Sequence, residues 1–238
     1  MEEKITLETA DNFLLYGILN SKQKSDNLII FVHGITGHQN EHQYFNAVPY
    51  FTEKGFDVFR FNLYGGGPKS REMINVSLSI HGEDITTVLK HFKPLYKNIF
   101  LVGHSLGGPS IMFSDYSDAQ SLVFWDPAFE FQEWEHKEMA FQPQLDKYIF
   151  FWGRDYLVSK EILREWQVFD LNLLEKITKP VRVIRAEKNN MPDNWVSYIE
   201  KTQNCKITTI PNADHSFCVE GTEQELFLQT YEWIEQFV

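Results

Sequence analysis

The strongest constraint on the fold is a series of short, continuous apolar runs. LIIFVH (Leu28–His33), FDVFRFN (Phe56–Asn62), NIFLVG (Asn98–Gly103), SLVFWD (Ser121–Asp126), PVRVIRA (Pro180–Ala186) and CKITTI (Cys205–Ile210) share this character. Such runs suit strands buried on both faces, as in a parallel sheet covered by helices. Helical patterns lie between them. Ile85, Val88, Leu89 and Phe92 fall at i, i+3, i+4 and i+7, and that stripe stops at Pro94. Thr222-x-x-Glu225 has the form of a capping box opening the last helix, with Leu226, Thr230, Ile234 and Phe237 as its inner face. Two earlier runs, Ile5–Thr9 and Phe13–Leu19, flank a turn containing Asp11-Asn12 and predict a hairpin. Eight strands with intervening helices predict an α/β protein with a mostly parallel, doubly wound sheet. A closed barrel of parallel strands would not admit the opening hairpin.

One interval breaks the rhythm. Residues 127–179, between Asp126 and Pro180, are more than one crossover helix needs, and they are rich in aromatics: Phe129, Phe131, Trp134, Phe141, Tyr148, Phe150, Phe151, Trp152, Tyr156, Trp166 and Phe169. This segment reads as a small cap inserted over one end of the sheet, between a core formed by residues 1–126 and 180–238. An extra layer of core would have the same composition.

Composition narrows the function. The 238 residues carry 22 Lys and Arg against 33 Asp and Glu, a net charge of −11, and there is no dense basic run. That excludes the electrostatic footprint of a nucleic-acid or anionic-membrane binder. The first residues, MEEKITLETADNF, lack the apolar core of a signal peptide, and no apolar stretch is long enough to span a bilayer. Cys205 and Cys218 form neither a disulfide framework nor a zinc pattern, and both are expected to be reduced thiols of a cytoplasmic protein, Cys218 buried and structural.

The chemistry centres on GHSLG, Gly103 to Gly107, which fits G-x-S-x-G. An apolar strand leads in and small residues open a helical stretch after it. Strand, sharp turn and helix are the context of a nucleophile elbow, which would expose Ser105 Oγ at the carboxyl end of the sheet. A serine needs a base. His215, in PNADHSF after the last strand, is the best placed of eight histidines. His104 neighbours the serine but should point elsewhere, and His33 should hydrogen-bond its own loop. Acyl transfer also needs donors for the oxyanion. The N–H of Leu106 is one expectation and that of Ile35, in HGITGH after the third strand, is the other. Gly34 and Gly37 would let that loop approach closely.

With these pieces in place the sequence resembles the α/β-hydrolase superfamily, over nearly its whole length. HGITG, YGGG (Tyr64–Gly67), GHSLGG and ADHSF carry the resemblance. It is closest to bacterial serine esterases of the feruloyl or cinnamoyl esterase type. Membership implies the α/β-hydrolase fold and hydrolysis of an ester or related acyl bond, with no metal and no organic cofactor. It also implies an Asp after the seventh strand to orient the histidine. Here the aligned residues are Ala186-Glu187-Lys188-Asn189, and Asn189 holds the expected position. Asp126, in FWDPAF after the sixth strand, is the leading replacement. Pancreatic-type lipases are similar in placing the acid there, and the two strands are neighbours. Asp193, Glu187 and Asn189 itself stay open as alternatives.

The expected function is therefore a serine carboxylesterase with Ser105, His215 and Asp126 as triad and an apolar or aromatic substrate group. A thioesterase, aminopeptidase or lysophospholipase on the same site is the alternative, as is a non-catalytic binding protein that keeps the hydrolase shell. The expected partner is a small-molecule ester. Neither nucleic acid nor a membrane span is expected, and a homodimer stays open.

Overall fold

The computed structural model describes residues 1–131, 138–151 and 154–238. Trp134 and Trp152 lie outside the described residues. The eight expected strands all form: β1 (Glu2–Glu8), β2 (Leu14–Asn20), β3 (Asn27–Val32), β4 (Asp57–Phe61), β5 (Asn98–His104) and β6 (Ser121–Trp125), then β10 (Val181–Ala186) and β11 (Cys205–Ile210) after the inserted segment. They make one sheet in the order β1-β2-β4-β3-β5-β6-β10-β11. β1 and β2 pair antiparallel, β2 runs antiparallel to β4, and the strands from β4 to β11 pair in parallel.

The continuous apolar runs arise because both faces are covered. Alternate residues of one strand enter different cores. Ile30, Val32, Leu101 and Phe124 pack with Ile85, Val88, Leu89 and Phe92 of α2 (Leu78–Phe92). Phe31, Val102, Val123 and Trp125 pack on the other face with Tyr44 and Phe51 of α1 (His42–Glu53) and with α7 (Thr222–Ile234). The indole N–H of Trp125 donates to Thr230 Oγ1 at 2.9 Å, and that of Trp233 to Ser121 Oγ at 2.7 Å. These two bonds seat α7 on the strand that leads into Asp126.

The last helix differs from expectation at its start. Its N-cap is Gly221 at φ +84°, and no side chain caps it. Thr222 Oγ1 donates back to the Val219 carbonyl at 2.7 Å, and Glu225 accepts from Gln229 Nε2 at 2.6 Å, so the capping box is not made. The positive φ turns the chain so that Thr222 is already helical and cannot cap. The inner face holds Leu226, Thr230 and Ile234 as expected, with Phe227 and Trp233 added and Phe237 partly buried.

Between β6 and β10 a second sheet forms from β7 (Met139–Gln142), β8 (Lys147–Phe151) and β9 (Asp155–Val158), all antiparallel. Helices α4 (Lys160–Gln167) and α5 (Asn172–Glu175) follow, and α6 (Val196–Ile199) connects β10 to β11. Phe150, Val158, Ile162 and Trp166 pack against Ile35 and Leu106 in a third apolar cluster, separate from the two that line the main sheet. The inserted segment therefore buries its apolar side on the loops at the carboxyl ends of β3 and β5.

Candidate active site

Ser105 lies just past β5, before α3 (Gly107–Met112), at φ +54°. A left-handed conformation costs a residue with a side chain about 1–2 kcal/mol, so the surroundings must impose it. They do so through hydrogen bonds: Ser105 N–H donates to Trp125 O at 3.1 Å, while its carbonyl accepts from Gly108 at 3.0 Å and Ala128 at 3.1 Å. The elbow is thereby tied to the segment that carries Asp126. The neighbouring loop comes very close, since a Cβ added at Gly34 would sit 2.9 Å from Ser105 Cβ and 3.3 Å from its Oγ. Among the described residues no backbone carbonyl accepts the N–H of Ile35 or Leu106.

His215 Nδ1 lies 2.7 Å from Asp126 Oδ2, with the carboxylate buried and the imidazole about a quarter exposed. A carboxylate only accepts, so Nδ1 carries the proton and the Nε2 lone pair is left for the cavity. Asp126 is held from two more sides. Its Oδ1 accepts the Ala186 N–H at 3.0 Å, and its Oδ2 also accepts Asn189 Nδ2 at 2.5 Å. The Met191 N–H donates to Asn189 Oδ1 at 3.0 Å, which turns the amide so that its NH₂ faces Asp126. Asn189 thus stands beside Asp126 as a donor to it.

The other candidates for the acid are engaged elsewhere. Asp193 pairs with Arg185 at 2.7 Å, and Glu187 accepts the Asn212 N–H at 2.8 Å. His33 is buried, with Nδ1 on Gly34 O at 2.8 Å and Nε2 accepting from Leu63 N–H at 3.0 Å; burial pulls it down to about 4 and keeps it neutral. His104 reaches across to the His215 carbonyl at 2.8 Å, and burial, reinforced by His215, pulls it to about 3. It pins the backbone that carries His215, a role its place beside the serine did not reveal.

The cleft has two lobes that meet at Ile35, Ser105 and His215. The larger, about 360 Å³, is polar and walled by Thr36, Glu41, His42, Ser216 and Cys218. The smaller, about 280 Å³, is walled by Phe150, Phe151, Trp166, Met191 and Asn190. Glu41 was not singled out by any pattern; burial raises its carboxyl to about 7 against the weaker pull of His42 and His215. Cys218 corrects a sequence expectation: it is exposed, because Phe217 at φ +55° turns inward in its place. Among the described residues no group of His, Cys, Asp and Glu could hold a metal ion, and no helix is long and apolar enough to cross a membrane.

The sequence model of the family described as serine aminopeptidase, S33 matches residues 23–152, more than half of the chain. The chain belongs to this family. The fold is that of the α/β hydrolases, as solved structures also show. Est1E from Butyrivibrio proteoclasticus, with ferulic acid bound, superposes with a TM-score of 0.81 at 20% identity, over 98% of both chains. The α/β hydrolase GrgF from Penicillium sp. sh18 gives 0.81 at 13% identity, over 100% of this chain and 99% of its own. An esterase from Pyrococcus furiosus gives 0.74 at 16%, over 100% and 93%. No curated protein matches the sequence. At these identities the superpositions speak for the fold of this S33-family chain.

Proposed function

We propose that the protein is a serine hydrolase of carboxylic esters. The observation that carries this is the 2.7 Å contact between His215 Nδ1 and Asp126, in a cleft that also holds Ser105. Ser105 Oγ attacks the ester carbonyl as His215 Nε2 takes its proton. The N–H groups of Ile35 and Leu106 receive the oxyanion, and His215 returns the proton to the leaving alcohol. A water activated by His215 then releases the acid. Asp126 keeps Nδ1 protonated and stabilises the imidazolium. The segment 127–179 acts as a cap, and its Phe150, Phe151 and Trp166 select an apolar or aromatic group in the smaller lobe.

The ferulic acid bound by Est1E makes an aromatic acid a reasonable first substrate group to test here. A second reading is aminopeptidase activity, favoured by the family description and by Glu41. This is a carboxyl without a Lys or Arg partner among the described residues, on the wall of the polar lobe, where a substrate ammonium could sit. Labelling with a fluorophosphonate, followed by a panel of matched esters, thioesters and aminoacyl amides, separates the readings. Labelling of Ser105 that is lost in Ser105→Ala, with esters cleaved fastest, is expected. Folded protein that never labels would overturn the hydrolase reading, and preferred cleavage of aminoacyl amides would favour the second.

A further inference from the structure

The polar lobe contains a second set of groups wired like Asp126 and His215. Cys218 Sγ lies 3.2 Å from His42 Nε2, and His42 Nδ1 lies 2.8 Å from Glu223 Oε1. The other oxygen of Glu223 accepts from Asn46 Nδ2 at 2.8 Å, which fixes the carboxylate. The three residues come from different elements: the first residue of α1, the loop after β11 and the first turn of α7. Glu223 can only accept, so His42 carries its proton on Nδ1 and turns the Nε2 lone pair to the thiol. Cys218 is solvent-exposed and shares a cleft with Ser105, whereas Cys205 is half-buried and far along the sheet edge at the start of β11.

We propose that Cys218, His42 and Glu223 form a second nucleophilic site. It adds the thiol to α,β-unsaturated carbonyl compounds that enter the polar lobe, and the adduct occludes that lobe. Burial and the carboxylates of Asp214 and Glu223 raise the Cys218 thiol above its ordinary value, which disfavours the free thiolate. Reaction therefore needs His42 as base. The S–H bond breaks and the proton moves to His42 Nε2. Sulfur bonds to the β-carbon, and the π pair moves onto the α-carbon and carbonyl as an enolate. His42 then returns the proton to the α-carbon. The sum is addition of S–H across the double bond, with no oxidant or further reactant. A thiol is the soft nucleophile suited to this acceptor, as Ser105 is to a carbonyl carbon.

The test is alkylation by N-ethylmaleimide, followed by mass spectrometry at both cysteines of the same molecule. In the wild type Cys218 reacts ~10-fold or more faster than Cys205. His42→Ala slows Cys218 by ~10-fold or more, as loss of a positioned base should, and leaves the Cys205 rate unchanged. Removing the imidazole also opens space around the sulfur. Accessibility alone would therefore make Cys218 react equally fast or faster, and that result would overturn the proposal. If Cys205 accelerates in His42→Ala, the variant has lost its fold, and Glu223→Gln decides instead: slower Cys218 alkylation supports the site and an unchanged rate overturns it. Occlusion is read as ester hydrolysis before and after treatment, each protein against its own untreated rate. The wild type should lose turnover and Cys218→Ser should not; equal retention by both overturns occlusion. That last arm rests on the ester-hydrolase reading, but the alkylation rates need no turnover, so the two can fail separately.

Discussion

The carboxylate of Asp126 accepts from three groups: the Ala186 N–H, the Asn189 amide and the His215 imidazole. All three are donors, and only a group with two accepting oxygens satisfies them together. An amide in its place could not do this. Asp126→Asn must present either oxygen or NH₂ to His215, and its NH₂ would meet the donors Asn189 Nδ2 or Ala186 N–H on the other side. The same change in a protease triad costs about 10⁴ in kcat, and a loss of ~10³–10⁴ with KM within a few-fold is expected here. Steady-state kinetics on one ester decide it; a loss below tenfold would rule out a catalytic role for Asp126. Position 126 was legible in sequence because β6 and β10 are neighbours whose ends must meet. The role of Asn189 was not, because only the Met191 N–H on its oxygen fixes which way the amide faces. The exposure of Cys218 and its contact with His42 were equally hidden, since the two are 176 residues apart.

At the scale of elements, loops at the carboxyl ends of β3 and β5 bring Gly34 and Ser105 together, and glycine sets their separation. A methyl group at position 34 would lie within 3.3 Å of Ser105 Oγ. Gly34→Ala should push the Ile35 N–H away from the oxyanion position. A loss on the order of 10² in kcat is expected, the cost of one oxyanion donor, with a lowered melting temperature because the added methyl overpacks Ser105. A variant that keeps its rate would mean that Ile35 is not a donor. The strands themselves were readable because each has both faces in an apolar core. The start of α7 misled for a local reason: Thr222 and Glu225 have capping-box spacing, but Gly221 at φ +84° takes the cap position. That conformation is nearly free only for glycine, so Gly221→Ala should cost about 1–2 kcal/mol. In a chain of this size that is a fall of roughly 2–8 °C in melting temperature. Calorimetry checks it, and an unchanged melt would show that the helix start can relax.

Across the whole molecule, the cleft sits where the third apolar cluster, built by the inserted segment, meets the carboxyl end of the main sheet. Glu41 stands on the wall of the polar lobe of that cleft. Its carboxyl rises from 4.5 to about 7, chiefly by burial. The folded protein then holds this proton more tightly than the unfolded chain does. The sign follows from linkage. Below the unfolded value of 4.5 both states are protonated and the full contribution is present. As pH rises the unfolded chain ionises first, and stability is lost until the folded carboxyl also ionises near 7. Each tenfold gain in proton affinity is worth ~1.4 kcal/mol, and the cleft is partly open to solvent, so the loss is roughly 1–2 kcal/mol. Glu41→Gln cannot ionise and so escapes it. Its melting temperature should exceed that of the wild type by roughly 2–8 °C at pH 8, with a much smaller gap at pH 5. Thermal melts of the two proteins at both pH values test this. A gap that is equal at pH 5 and pH 8 would show that water reaches Glu41 freely and that its carboxyl is not held protonated by burial in the polar lobe.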